Sequence, residues 1–323
     1  MTSIRILAAS SLSCLALLAA CNRQVSTDEH MAHMSGVDMA APAGTFAVGQ
    51  SNIALPASNN AAKARLAASP RHGEWVKIAW EQGSSDSLMA WIVYPSTSRA
   101  KTPVVVVVHE IFGLQTWVRG VADQVAADGF IAIAPDLLSR VRGGPSSEEM
   151  SGDSARKLIQ GVNSTERNKG IIAAARYATS QPSAAQKYGV VGYCWGGATV
   201  FMHAVNGGTT GFSGGVAYYG LPYMNGAAPI ADSLAKIKVP VMLLNGSKDA
   251  RIAAAMPAVD STMKALGKKY SAQNYEGAVH GFLRAQDDPK PTRDEAEEKA
   301  NLAAAKDAWP KTIAFLKKNL GVK

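Results

Sequence analysis

The chain has 323 residues, 47% of them hydrophobic and 18% charged, which is ordinary for a globular protein with a sizeable core. Its formal charge of +8 invites a nucleic-acid or membrane-surface reading. The Lys and Arg residues are scattered, however, and no basic stripe with interleaved aromatics runs through the sequence, so nucleic acid is excluded as a partner.

Residues 1–20 read as an export signal. Met1 to Arg5 give a short positive start, Ile6 to Leu18 an apolar run too short for a spanning helix, and Leu18-Ala19-Ala20-Cys21 closes it. That ending resembles the bacterial lipobox. The resemblance implies that Cys21 is lipidated and becomes the first mature residue, anchoring the protein to a membrane of the cell envelope and facing the periplasm. Of the three cysteines, Cys14 lies in this segment and Cys21 directly after it, so the body holds only Cys194 and can form no internal disulfide. Residues 21–70 have no sustained apolar period and are rich in Ala, Ser, Asn, Gly and Pro, the composition of a flexible tether. Within it, His30, Met31, His33, Met34 and Met39 are either chance residues or soft ligands for copper.

Residues 71–323 form the predicted folded domain. Glu74–Trp80 and Leu88–Tyr94 flank a polar turn and predict an antiparallel hairpin. Val104–Val108, five valines in a row, predicts a strand buried on both faces. A helix follows over Trp117–Asp128, then a buried strand over Phe130–Ala134. The alternation continues with helix Glu166–Ala178, strand Tyr188–Tyr193, helix Gly196–Val205, and strands Gly215–Tyr219 and Val239–Leu244. Helix Ala253–Leu266, strand Ser271–Tyr275 and a long helix from Glu295 to Leu320 complete it. Such alternation predicts an α/β fold, with a mostly parallel central sheet and helices on both faces.

Gly192-Tyr193-Cys194-Trp195-Gly196 places a cysteine in the nucleophile-elbow pattern G-x-S-x-G, between a predicted strand and a predicted helix. The helix N-terminus beneath Cys194 is expected to stabilise a thiolate. The acid and the histidine should follow in chain order. Asp249 comes just after a buried strand and His280 after the last one, so the strand ends bring three distant segments to one sheet edge. Asp249 would orient His280, and His280 would activate Cys194. His109, which ends the valine strand, is the competing histidine, and the chain order disfavours it. The oxyanion hole is expected from the N–H groups of Trp195 and Ile111. This constellation predicts the α/β-hydrolase fold.

With Val108-His109-Glu110-Ile111-Phe112-Gly113, Gly129 to Leu137, Val191 to Gly197, Tyr218-Tyr219-Gly220 and the His280 segment in view, residues 75–320 resemble the dienelactone hydrolase (carboxymethylenebutenolidase-like) family. The resemblance implies an α/β-hydrolase fold, a Cys-His-Asp triad, no cofactor or metal, and hydrolysis of a small ester or lactone. It further implies that Glu110 pairs with Arg284 and takes the thiol proton when substrate arrives, with Arg284 and Tyr219 contacting the substrate. The sequence departs from the family archetype at His109 and Gly281. Arg156 is the nearest match to a second substrate-binding arginine. The alternative reading is a non-catalytic envelope lipoprotein that binds through the fold or through the His/Met segment.

Overall fold

The computed structural model describes residues 52–97, 101–148, 150–286 and 292–322. Cys21, residues 1–20 and the His30–Met39 segment lie outside them. In chain order the elements are α1 (Ala62–Ala67), β1 (Gly73–Ala79), β2 (Ser87–Val93), β3 (Thr102–Val108), α2 (Thr116–Ala127), β4 (Ile131–Pro135), α3 (Ser139–Arg142), α4 (Gly152–Gln160), α5 (Ser164–Thr179) and β5 (Ala184–Tyr193). They continue with α6 (Trp195–Val205), β6 (Phe212–Tyr218), the short hairpin β7 (Met224–Asn225) and β8 (Ala228–Pro229), and α7 (Ala231–Leu234). The last five are β9 (Val241–Gly246), α8 (Ala250–Ala265), β10 (Tyr270–Tyr275), α9 (Phe282–Ala285) and α10 (Glu295–Leu320).

Eight strands form one sheet in the order β1-β2-β4-β3-β5-β6-β9-β10. The predicted hairpin is present, with β1 antiparallel to β2, and β2 antiparallel to β4; the other neighbours are parallel. The valines of β3 are fully buried because strands flank β3 on both sides and helices cover both faces. Adjacent glycines of β6 show the layering: a Cβ on Gly214 would meet Phe315 of α10, and one on Gly215 would meet Val200 of α6. Successive strand residues point to opposite faces, so α6 and α10 cover opposite sides of the sheet. On the α10 side, Trp309 Nε1 donates to Asp128 Oδ2 at 3.0 Å, joining α10 to the residue that ends α2.

One expectation needs correction. The tether predicted over residues 21–70 is folded against the body in its last part, residues 52–70. Leu55, Ala57 and Ala62 are buried in the core, and Arg65 of α1 donates to Gln124 Oε1 of α2 at 3.0 Å. This stretch buries only Leu55, Pro56, Ala57, Ser58 and Ala62, so it has no apolar period to read. Among the described residues no helix is long and apolar enough to cross a membrane.

Candidate active site

The parallel strands β3, β5, β6, β9 and β10 all end at the same sheet edge, and each is followed by one element of the site. From β3 come His109, Glu110 and Ile111; from β5, Cys194; from β6, Tyr219; from β9, Asp249; from β10, His280.

Cys194 is completely buried and has φ 56° and ψ −115°, a left-handed conformation that a side chain adopts only under constraint. The constraint comes from the glycines around it. A Cβ on Gly192 would lie 2.1 Å from the Gly196 carbonyl oxygen, and one on Gly196 would lie 2.4 Å from that of Val108. The turn closes only because neither is there. Cys194 N–H donates to Tyr218 C=O at 3.0 Å, which fixes the elbow to β6.

Asp249 serves two neighbours. Its Oδ1 caps α8 by accepting from Ile252 N–H at 3.3 Å, and its Oδ2 lies 2.5 Å from His280 Nδ1. A carboxylate can only accept, so Nδ1 carries the proton and Nε2 is left as the basic nitrogen. The loop holding His280 is clamped from several sides. Val279 N–H donates to Asn301 Oδ1 of α10 at 2.9 Å, Gly277 N–H donates to Ser247 Oγ at 2.8 Å, and Tyr219 packs on the imidazole at 4.8 Å between ring centroids. Sequence reasoning missed Asn301. In sequence it is an Asn in an alanine-rich helix, and its full burial appears only in the fold.

Glu110 and Arg284, 174 residues apart, meet as a buried ion pair with Nη1 3.4 Å from Oε2. The other carboxylate oxygen, Oε1, is buried with no hydrogen-bond partner among the described residues. Its charge is felt by Cys194, Tyr193 and Tyr219. Burial first, and the Glu110 carboxylate second, push the Cys194 thiol well above its ordinary pKa; the Trp195 N–H and Arg284 pull the other way and are outweighed. The expected thiolate stabilised by the helix N-terminus is therefore corrected. Burial and the neighbouring carboxylate both favour the protonated thiol.

His109 is a structural residue. Its Nε2 accepts from Leu137 N–H at 3.0 Å, so Nδ1 bears the proton and donates to Glu110 C=O at 2.5 Å. Both ring nitrogens are spent on backbone, and the ring stacks on Trp195 at 5.6 Å. Burial holds its pKa below the usual imidazole value. Ile111 and Trp195 are both buried. Arg156, by contrast, sits on α4 and pairs with exposed Asp153 at 3.0 Å. Among the described residues no group of three or more His, Cys, Asp or Glu side chains could hold a metal ion.

A mostly parallel sheet sandwiched between helices, with a strained cysteine elbow between β5 and α6 and an Asp–His pair at the strand ends, defines the α/β-hydrolase fold. The chain matches the dienelactone hydrolase family over residues 88–320 and belongs to it. It is an enzyme of the ester- and lactone-hydrolysing class and acts on a small-molecule substrate. It is 31% identical over 194 residues to a carboxymethylenebutenolidase of Pseudomonas putida, covering 58% of this chain and 78% of that one. It is 26% identical over 255 residues to a probable 2-oxo-3-(5-oxofuran-2-ylidene)propanoate lactonase of Bradyrhizobium, covering 76% and 94%. In fold it is similar to a dienelactone hydrolase-like promiscuous phosphotriesterase from metagenomic libraries, with TM-score 0.58 and 22% identity over 76% of this chain and 98% of that one.

Proposed function

We propose that the protein hydrolyses a small ester or lactone through an acyl-enzyme on Cys194, with His280 as base and Asp249 as its orienting acid. The observation that carries this reading is the 2.5 Å contact between Asp249 and His280 at the sheet edge where Cys194 is held in a left-handed conformation. An ordinary buried cysteine has no need of that strain. The Pseudomonas putida and Bradyrhizobium relatives, a butenolidase and a lactonase by name, support a lactone as the substrate.

The resting thiol is protonated, so attack needs a proton acceptor that becomes available with the substrate. When an ester engages Arg284, with Tyr219 lining the site, Glu110 loses its counter-ion and accepts the proton from Cys194 Sγ. The thiolate adds to the carbonyl carbon, and the oxygen that gains charge is met by the Ile111 and Trp195 N–H groups. Collapse forms the thioester and breaks the carbon–oxygen bond, and the leaving oxygen takes the proton from Glu110. Water then attacks the thioester, giving its proton to His280 Nε2. Sγ leaves and recovers that proton, and acid and alcohol are released. No cofactor enters this scheme.

The chain-start pattern supports a lipid anchor on Cys21 and a location in the bacterial envelope, facing the periplasm. Two measurements test the proposal. A panel of activated esters and lactones should be turned over by the wild type and not by His280→Ala, and equal turnover would overturn the chemistry. Cys21→Ser should move the protein from the detergent to the aqueous phase, and unchanged partitioning would overturn the anchor.

A further inference from the structure

Helix α9 begins two residues after His280 and carries Arg284. A helix of four residues makes few internal hydrogen bonds, and its last carbonyls need partners from elsewhere. The segment Leu55–Asn59 meets that need. Asn59 N–H donates to Arg284 C=O at 2.9 Å. The Gln286 side-chain amide donates to Leu283 C=O at 2.8 Å and to Pro56 C=O at 2.9 Å, tying the end of α9 to the same segment. On the other side, Trp117 Nε1 donates to Ala57 C=O at 3.0 Å, and the Trp117 ring meets Tyr193, the residue before Cys194, edge-on at 5.0 Å. Arg65 closes the arrangement by donating to Leu55 C=O at 2.8 Å. Leu55, Ala57 and Ser58 are buried, and so is Gln286. All five segment residues lie before residue 88, where the match to the family begins.

We propose that Leu55–Asn59 is a positioning strap that holds Arg284 against Glu110 and so sets the resting geometry of the catalytic thiol. The inference rests on the Glu110–Arg284 reading given above. At 3.4 Å the ion pair has little slack, and a backbone shift of about 1 Å in α9 is enough to break such an arrangement. The strap fixes that backbone directly at the Arg284 carbonyl and, through the Gln286 amide held by Pro56 C=O, at the Leu283 carbonyl. Released from it, Arg284 leaves Glu110 before any substrate is bound, so the uncompensated carboxylate raises the Cys194 pKa in the empty site and the loss of the counter-ion is no longer coupled to substrate binding.

The test uses the full-length protein. Gln286→Met keeps the length of the side chain and removes both donations; Trp117→Phe keeps the ring on Tyr193 and removes the bond to Ala57. Arg284→Ala reports on the ion pair itself. Each variant is measured for kcat/KM, for Tm, and for the pH profile of iodoacetamide alkylation at Cys194. The strap predicts that Gln286→Met lowers kcat/KM about tenfold, the factor that corresponds to one well-placed hydrogen bond. It also predicts an alkylation profile displaced to higher pH, in the same direction as in Arg284→Ala. A lower Tm with an unmoved profile in Gln286→Met, alongside a displaced one in Arg284→Ala, overturns the strap and leaves the ion-pair reading standing. Unmoved profiles in both overturn the ion-pair reading and the strap with it. A displaced profile in Gln286→Met alone shows that the segment does not act through Arg284 and also overturns the proposal. If Gln286→Met does not fold, Trp117→Phe is judged by the same criteria.

Discussion

Replacing Glu110 by glutamine separates two effects that usually travel together. Glu110 is buried with one oxygen 3.4 Å from Arg284 and the other without a hydrogen bond among the described residues. Its charge is the second largest cause, after burial, of the high thiol pKa of Cys194. Glu110→Gln preserves shape and removes that charge, so the resting thiol should ionise more readily and react faster with iodoacetamide at any pH below its titration. The same change removes the proton acceptor, so kcat/KM should fall by about 10²–10⁴-fold, the range for loss of a general base. Stability should change modestly. Removing one partner of a buried ion pair costs about 3 kcal/mol, and relieving an ionised carboxylate of an incompletely satisfied burial offsets part of it, leaving about 1–2 kcal/mol. For a domain of this size that is a Tm decrease of about 2–8 °C. Alkylation rates followed by intact mass and steady-state ester hydrolysis on the same preparation give both readings. Slower or unchanged alkylation together with near-normal turnover would remove Glu110 from the mechanism and leave it a structural ion.

Asp249→Asn should lower kcat by about 10⁴-fold, because an amide can present its NH₂ to Nδ1 and reverse the imidazole tautomer. Asparagine caps a helix as well as aspartate does, so thermal melts should show α8 and the fold intact; retained activity would contradict the orienting role. The buried His203, bonded to Asn168 Oδ1 and Tyr188 OH, titrates only at about 3 because burial disfavours its charged form. The unfolded imidazole takes up its proton near 6.5, so this stability is complete above that pH and is lost as pH falls toward 3, at up to about 1.4 kcal/mol per pH unit. Urea midpoints between pH 7 and pH 4 should therefore fall less steeply in His203→Gln, and parallel slopes would refute the assignment.

The strands and principal helices were legible because the sheet is sandwiched. Val104–Val108 and Ile131–Ala134 read as β-branched and apolar runs without alternation, and such runs have few other homes. Cys194, Asp249 and His280 could be proposed together because each lies within five residues of the end of β5, β9 or β10 and the elbow pattern carries its two glycines. Other features leave little trace in sequence. Residues 52–70 dock through small side chains and backbone carbonyls, which carry no periodicity. Helix α4, over Gly152–Gln160, buries only Ala155 and Ile159, too few residues to show a stripe. The balance at Cys194 was hard to read because the helix terminus that favours a thiolate is local in sequence, whereas Glu110 and full burial, which oppose it, are brought in by the fold. The Glu110–Arg284 contact spans most of the domain and was anticipated only through the family resemblance. His109 could be assigned to structure only once the Leu137 N–H and the Glu110 carbonyl were seen on its two nitrogens.

The central claim is that Cys194 is the nucleophile, and the most direct test is to catch the acyl group on it. The wild type is mixed with a slowly deacylating activated ester, quenched in acid, digested and mapped by mass spectrometry, with Cys194→Ala treated in parallel. The account predicts one acyl adduct on the peptide containing Cys194, formed and lost at rates matching turnover, and neither adduct nor hydrolysis in Cys194→Ala. Undiminished hydrolysis by the alanine variant, or an adduct on any other residue, would contradict it.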